Sequence, residues 1–406
     1  MVFLHPEMKK ILLFILVFIA LCSNGMGQMV PLFPGVTKND LYLDLSRVYS
    51  YNQYEKSRWG LGLQYDISLG GRSFNMLSLS GYGAYGYADQ RFKWGARVDL
   101  QSLQKYQTHT YVDFFHDITP DAPRYLNPYN ILDFNSTGFF MTRLFSDTWR
   151  LTLGFSRQAS GGRAECFELR LSRERGLHYG TTLLYPPSYS DLKGLPYRDF
   201  AEGRVFVSAG GGFRFEVLGG IHGDLADLDE KMTPFCRVLM QYDNAFYFSA
   251  FELDLFGQAG FANSEAPYSR LFDLGGTWGS TIALERSLYT ARPNEFTTNL
   301  FTLVNLKLTT REPLFRLENK VMAIGTAPSP FVLCNAAWGM MGDYTGPSVP
   351  DKGIAEVGAG VDGLVVWSAI RWGGAVIYRL TPESAAYHLP ERSDNLVFVF
   401  TAKLDL

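Results

Sequence analysis

The chain ends with the stretch Leu396-Val397-Phe398-Val399-Phe400-Thr401-Ala402-Lys403-Leu404-Asp405-Leu406. Successive side chains of a strand point to opposite faces, so one face of this stretch is apolar throughout and the other carries Thr401, Lys403 and Asp405. A transmembrane β-barrel turns such an apolar face to lipid and pairs its last strand with its first. We therefore predict that Ser393 to Leu406 is the closing strand of a membrane barrel.

The same alternation recurs earlier in the chain and indicates an all-β fold. It is clear at residues 61–69, 149–156 and 166–172, where apolar side chains alternate with polar or small ones. We count about eighteen candidate strands, of which two or three are expected to be misreadings. At roughly 23 residues per strand and connection, the length favours an antiparallel transmembrane β-barrel of about 16 strands, an even number as in single-chain bacterial barrels.

Interruptions of the pattern predict the domain organisation. Long loops are expected where alternation fails, and barrels of this kind keep periplasmic turns short and outer loops long. The predicted loops lie near residues 118–136, 186–198 and 262–295. The predicted units are a signal peptide at 1–27, a short N-terminal segment at 28–39 and one barrel domain at 40–406.

The N-terminal residues predict export. The apolar run at residues 11–22 follows Lys9 and Lys10 and precedes a small, polar stretch that ends at Gly27. It is too short to span a bilayer as a helix, which needs about 20 residues, but it suits the apolar core of a signal peptide. We predict cleavage after Gly27 and an integral location in the cell outer membrane.

Composition agrees with a barrel and excludes other classes. The net charge of −3 provides no basic surface for nucleic acid. Aromatic residues make up 15% of the chain, as expected where aromatic girdles mark the two membrane interfaces. The expected partners are outer-membrane lipid, the barrel assembly machinery during insertion and an envelope protein.

Candidate chemical groups do not combine into a recognisable site. His109, Tyr111 and Asp113 share a strand face, where a histidine near a carboxylate could act as a general base, but no nucleophile stands beside them in sequence. The acidic turn that begins at Asp224 lacks the spacing of a calcium-binding loop. Glycine pairs never precede a predicted helix, so no phosphate cradle is expected. We predict no catalytic residue, cofactor or metal site.

Cysteine usage predicts neither a disulfide framework nor a zinc site. Three cysteines follow the leader, at Cys166, Cys236 and Cys334. Their number is odd and they lie far apart in sequence, so they fit neither a disulfide framework nor the ligand spacing of a zinc site. The sequence leaves their redox state open.

Several segments resemble a family of Gram-negative outer-membrane barrels of unassigned function, which usually carry a carboxypeptidase-like regulatory domain in front. The segments are Gly81 to Trp94 with its tyrosine-glycine hairpin, Arg292-Pro293-Asn294-Glu295-Phe296, Glu356-Val357-Gly358 and Tyr378-Arg379. The chain departs from that family because Gln28 to Asp40 has no room for the regulatory domain.

That family is similar in layout to the larger superfamily of sixteen-stranded insertase and secretion barrels, whose long sixth loop folds into the lumen. The resemblance implies that residues 262–295 form such a loop. It makes Arg286, Arg292 and Glu295 candidate lumen-loop residues, with Arg286 or Arg292 reaching an acidic inner wall. The departures at the N-terminus argue against an insertase role that needs periplasmic domains.

The sequence thus predicts a non-enzymatic, porin-like channel, a transport component or a structural envelope protein. One alternative is a barrel enzyme, namely a lipase, acyltransferase or protease, which requires a histidine at the bilayer edge within hydrogen-bond reach of Ser or Asp. Another is a secreted, soluble all-β carbohydrate-binding protein. Soluble strands average five or six residues, and several strands predicted here are longer.

Overall fold

The computed structural model consists almost entirely of strands. It describes residues 29–32, 39–44, 47–52, 55–70, 75–103, 107–120, 145–159, 161–177, 197–225, 231–274, 277–278, 282–283, 288–291, 297–319, 324–340, 353–367, 370–381 and 395–404. A short 3-10 helix spans Tyr268–Arg270. No helix in this described part of the chain is long and apolar enough to cross a membrane.

The strands of the first half are β1 (Met29–Pro31), β2 (Asn39–Asp44), β3 (Tyr49–Asn52), β4 (Lys56–Ser68), β5 (Asn75–Gly86), β6 (Phe92–Leu103), β7 (Gln107–Pro120), β8 (Phe145–Ala159), β9 (Arg163–Leu177), β10 (Arg198–Gly210), β11 (Phe213–Gly223) and β12 (Thr233–Tyr247). Those of the second half are β13 (Phe251–Ala262), β14 (Phe272–Asp273), β15 (Thr277–Trp278), β16 (Ile282–Ala283), β17 (Thr297–Thr298), β18 (Leu300–Thr310), β19 (Leu317–Asn319), β20 (Ile324–Thr326), β21 (Ser329–Met340), β22 (Ile354–Trp367), β23 (Ile370–Arg379) and β24 (Leu396–Leu404).

The long strands form one antiparallel sheet of sixteen positions. β2 and β3 share the first position, because both pair with β4, one after the other along its edge. Each strand from β4 to β13 then pairs with the next, β13 pairs with β18, and β18 pairs with β21. β22, β23 and β24 complete the order. The predicted antiparallel barrel fold is confirmed.

The sheet has an apolar outer face and an inner face that carries both polar and apolar side chains. On β9, Leu171 is 58% exposed while its neighbour Ser172 and the more distant Glu168 are buried. The last strand follows the predicted alternation, since Phe398 is 68% exposed and Val399 is 3% exposed. A soluble protein would leave such an apolar surface in water, whereas lipid covers it in a membrane barrel.

The two ends of the sheet differ in the length of their connections. One end has short turns, at residues 69–74, 104–106, 160–162, 211–212, 248–250 and 368–369, together with one longer connection at residues 311–328 that contains β19 and β20. Gly161 and Gly162, both with positive φ, form one of the short turns. The other end has the longest connections, at residues 121–144, 178–197, 263–299, 341–353 and 380–395. In bacterial barrels the end with short turns faces the periplasm and the end with long loops faces the outside of the cell, and we expect the same orientation here.

The edges of the sheet are paired differently from our expectation. We expected the last strand to pair with the first, but β24 pairs in parallel with β16 through Ile282 and Phe400. β2 pairs instead with β1, from Met29 opposite Asp44 to Pro31 opposite Tyr42. Among the described residues no pair joins β2 to β24. An exposed edge offers unpaired N–H and C=O groups, so any nearby extended segment can take its place.

Two further boundaries differ from what the sequence predicts. Alternation of Tyr247, Phe251 and Leu253 with Phe248 and Glu252 predicts one strand from Tyr247 to Phe261, but the chain turns at residues 248–250 between β12 and β13. Apolar residues on both sides of that turn conceal it. The loop predicted at 118–136 begins later, because β7 continues to Pro120, and the rest of that loop lies outside the described residues.

Candidate functional site

The connection between β13 and β18 places two of its parts inside the sheet. We call residues 263–274 and 288–291 the lumen segment. Leu271, Phe272 and Leu288 within it are 0% exposed. The ring of Phe272 lies 4.8 Å from that of Phe301 on β18, and the guanidinium of Arg237 on β12 lies 4.7 Å from the centre of the Phe272 ring. The lumen segment therefore packs directly on the inner wall.

A charged anchor holds the first part of the lumen segment. It consists of Arg270 with Glu174 of β9 and Glu202 of β10. Arg270 Nε donates to Glu202 Oε1 at 2.6 Å, and its two Nη atoms donate to the two oxygens of Glu174 at 3.0 and 2.8 Å. All three side chains are buried. Bidentate pairs of this kind are among the strongest charge-assisted hydrogen bonds in proteins.

Neighbouring groups support the charged anchor. Arg150 Nη2 and Ser172 Oγ also donate to Glu174 Oε1, at 3.0 and 2.8 Å. The guanidinium of Arg270 lies 4.6 Å from the centre of the Phe200 ring. His222 on β11 contacts the backbone carbonyl of Glu265 at 2.9 Å. These contacts fix the Glu174 carboxylate and the segment that leads to Arg270.

An amide anchor holds the second part. It consists of Tyr289 and Thr290 with Glu356 of β22 and Arg379 of β23. The backbone N–H groups of Tyr289 and Thr290 donate to Glu356 at 2.9 and 2.7 Å, and the Thr290 hydroxyl donates to the same carboxylate. Arg379 donates to the hydroxyl and carbonyl oxygens of Thr290 at 2.8 and 2.9 Å. Asn335 Nδ2 adds a further donor to Glu356 at 3.2 Å.

The two anchors lie on nearly opposite sides of the barrel. β9 and β10 occupy the seventh and eighth of its sixteen positions, and β22 and β23 occupy the fourteenth and fifteenth. Half of the circumference separates positions that are eight apart. The lumen segment therefore reaches from one wall to the other across the bore.

The predicted lumen-loop residues Arg286, Arg292 and Glu295 lie outside the described residues. Their predicted role stays a prediction. Within the described part of the loop, Arg270 reaches an acidic wall, and sequence reasoning did not single it out because nothing in its surroundings distinguishes it from other arginines. Glu356 and Arg379 were marked only as members of family-like segments. The family resemblance therefore pointed to the two wall residues of the amide anchor, but not to the loop residues Tyr289 and Thr290.

The histidines were the basis of the enzyme alternative. His109 Nδ1 lies 3.2 Å from Asp99 Oδ2, and Arg97 also donates to that carboxylate at 2.8 Å. Ser156 is the cross-strand neighbour of His109 on β8, yet no hydrogen bond joins them. His116 Nε2 lies 2.9 Å from Asp147 Oδ1 on the outer face. Both imidazoles lie within hydrogen-bond reach of an aspartate, and neither contacts a described serine or cysteine.

The remaining chemical candidates do not combine into a site within the described part of the chain. Cys166, Cys236 and Cys334 are free thiols, the first buried and the other two exposed. Asp224 follows β11, but most of the acidic turn lies outside the described residues. The described part of the chain contains no cluster of three His, Cys, Asp or Glu side chains that could hold a metal ion.

Comparison with protein-family models finds no match, and comparison with curated proteins finds none either. Among solved structures the chain is similar to BamA from Haemophilus ducreyi lacking POTRA domains 1–3, with a TM-score of 0.46 and 13% identity. It is also similar to CdiB from Acinetobacter baumannii and CdiB from Escherichia coli, with TM-scores of 0.42 for both and identities of 11% and 10%. The distant similarity expected from the sequence is found.

The matched lengths differ between these proteins. The alignments cover 95%, 93% and 86% of this chain for BamA, the A. baumannii CdiB and the E. coli CdiB. The chain spans 78% of that BamA structure, but only 65% and 59% of the two CdiB chains.

Proposed function

We propose that the protein is a non-enzymatic outer-membrane barrel that serves as a channel or transport component, closed at rest by its lumen segment. The observation that carries this proposal is the attachment of one loop to nearly opposite walls by the charged and amide anchors. A segment held at both sides of a bore obstructs passage along it. A structural envelope protein would need no such obstruction.

The inner wall is suited to a watery path once the segment leaves. On its β4–β7 side, Arg58 donates to both oxygens of Asp117 at 2.7 and 2.6 Å, and Tyr82 donates to Asp117 at 2.6 Å. Lys93 lies 2.6 Å from Glu55 on the same side. Charged side chains of both signs line porin-like lumens, where they select among solutes.

Conductance in planar bilayers tests the proposal. The full chain is compared with a variant in which residues 262–294 are replaced by a short glycine-serine linker. We expect the full chain to remain closed and the variant to form stable open channels. The variant must insert into the bilayer and keep the heat resistance of a folded barrel. If such a variant stays as closed as the full chain, the lumen segment does not block the bore.

A further inference from the structure

A charged cluster lies on the outer, lipid-facing surface at the extracellular ends of β7 to β10. Alternation places its strand residues outward, together with the exposed Leu153 of β8 and Leu171 of β9. We call it the outer-face cluster, and its members are Arg91, His116, Asp147, Arg173, Arg175, Tyr197 and Asp199.

Asp147 organises one side of the outer-face cluster. Its carboxylate accepts hydrogen bonds from Arg91 Nη1 at 3.0 Å, Arg175 Nη2 at 3.4 Å and the Tyr197 hydroxyl at 2.9 Å. His116 Nε2 contacts the same carboxylate at 2.9 Å. One carboxylate therefore orients two guanidinium groups and one imidazole, and it cannot neutralise all of them.

Arg173 and Tyr197 extend the cluster along the barrel surface. Arg173 Nε lies 4.0 Å from Asp199 Oδ1, a carboxylate that also accepts the Leu225 backbone N–H at 3.0 Å. The guanidinium groups of Arg173 and Arg175 lie 5.3 and 4.7 Å from the centre of the Tyr197 ring. Within the outer-face cluster, three arginines thus face two carboxylates, so its described members carry an excess of positive charge. The side chains of Arg173 and Arg91 remain 47% and 45% exposed.

The strand register places the cluster at the edge of the apolar band. One cross-strand row runs through Trp94, His116, Trp149, Arg173 and Asp199. The row nearer the extracellular rim includes Asp147 and Arg175, and the row on the other side includes Phe114, Leu151 and Leu171. The imidazole of His116 stacks on Trp149 with ring centres 4.0 Å apart. This order of apolar, aromatic and charged rows is the profile of a membrane interface.

The charges are confined to one sector of the barrel. At the outward positions described in β4–β13, β18 and β21–β24, the other charged residues are Arg157, Arg163 and Glu165. Those three lie at the opposite, short-turn ends of β8 and β9. Charged residues that only marked the membrane interface would surround the barrel. The restriction of the charged residues at this end to β7–β10 therefore points to a specific ligand.

We propose that the outer-face cluster binds a phosphorylated lipid of the outer leaflet. Arg91, Arg173 and Arg175 contact its phosphate groups, because guanidinium groups pair with phosphate through parallel hydrogen bonds. Its acyl chains lie on the apolar row below, and Trp149 occupies the boundary between the two. Asp147 and Asp199 hold the guanidinium groups in place before the lipid arrives, which reduces the entropic cost of binding.

The test measures binding of lipid A, a diphosphorylated acylated disaccharide, to the full chain in detergent micelles. Native mass spectrometry counts the bound lipid molecules. The test variant is R173Q/R175Q and the matched control is R157Q/R163Q, which changes two outward arginines at the other end of the same sheet region. Dephosphorylated lipid A and inorganic phosphate serve as further probes.

We expect R173Q/R175Q to bind lipid A at least about tenfold more weakly than wild type, since two charge-assisted contacts are lost. We expect R157Q/R163Q to bind like wild type, and we expect dephosphorylated lipid A to bind weakly to both. Equal binding by both double variants, or equal binding of the dephosphorylated lipid, would overturn the proposal. Full competition by inorganic phosphate would overturn the lipid as the ligand.

Heat-modifiable electrophoretic mobility reports whether each variant is a folded barrel. If R173Q/R175Q does not fold, R91Q replaces it, because Arg91 lies in a turn outside the strands. We expect R91Q to weaken lipid A binding severalfold, by about 1 kcal/mol converted through the affinity relation. Unchanged binding by a folded R91Q would contradict the proposal.

Discussion

The charged anchor and the amide anchor fix the same loop by different means. In the charged anchor, the loop contributes a side chain, Arg270, and the wall contributes two carboxylates. In the amide anchor, the loop contributes mainly backbone N–H groups and the wall contributes Glu356. A side chain of the loop can be removed by substitution, whereas its backbone donors cannot. The vulnerable residue therefore lies on the loop at one anchor and on the wall at the other.

The two anchors also differ in which buried groups lose their partner when the anchor is broken. Without Arg270, Glu174 and Glu202 stay buried without the cation that links them, and a buried unpaired charge is costly. Without the Glu356 carboxylate, neutral N–H groups lose their acceptor, which costs less. We therefore expect the charged anchor to contribute more to closure.

The largest effect is expected for Arg270→Ala. Breaking a buried ion pair from one side costs roughly 3–5 kcal/mol. Because the cost falls on the attachment of the loop, amides in residues 268–274 should exchange with solvent about 100-fold faster or more. Hydrogen exchange followed by mass spectrometry measures this rate. Arg316→Ala, at an exposed position near the short-turn end, is the matched control.

Unchanged exchange in residues 268–274 of R270A would show that the charged anchor does not hold the loop. Acceleration spread equally over all strands would instead indicate that Arg270 stabilises the barrel as a whole. Either result would contradict the division into two local anchors.

A smaller effect is expected for Glu356→Gln. The glutamine side chain keeps one acceptor oxygen, but its NH2 group takes the place of the other oxygen. One donor of the loop then faces a second donor and has no acceptor. Loss of a buried hydrogen-bond acceptor costs about 1–3 kcal/mol. Exchange should accelerate at Tyr289 and Thr290 and remain slow in residues 268–274. If both parts of the lumen segment accelerate together, the anchors are not independent.

The smallest effect is expected for Thr290→Val, which removes only the hydroxyl. That hydroxyl donates to Glu356 and accepts from Arg379 at 2.8 Å. The substitution should lower the free energy of loop attachment by about 1 kcal/mol. The measurement is the urea concentration at which half of the molecules are cleaved in the loop by protease, and this midpoint should fall. Thr290→Ser keeps the hydroxyl and should behave like wild type. A T290V variant as resistant to protease as wild type would show that the hydroxyl does not hold the loop.

The strands were predictable because alternation along β8, β9 and β24 is a local property of the sequence. The turn between β12 and β13 was missed because apolar residues continue through Phe248 and Phe251. Edge pairing was also missed, since β1 and β16 are short segments whose placement depends on three-dimensional proximity. The local alternation of residues therefore identifies the strands of the barrel wall, but it says little about the segments that pair with the edges of the sheet.

The site was predictable only in outline. A lumen loop at residues 262–295 was expected from the family resemblance, but Arg270, Tyr289 and Thr290 were not among its predicted contact residues. Arg270 meets Glu174 and Glu202 across 96 and 68 residues of sequence, and no periodicity encodes such a contact. Glu356 and Arg379 lie directly opposite each other on β22 and β23, so strand register would have paired them once the strands were aligned.

The measurement that tests closure of the bore by a doubly anchored loop most directly is single-channel conductance of the R270A/E356Q double variant. Both substitutions leave the loop in the chain and remove only its attachments. We predict frequent open states for the double variant and a closed state for wild type, with each single variant in between. A folded double variant that conducts no better than wild type would contradict the central claim.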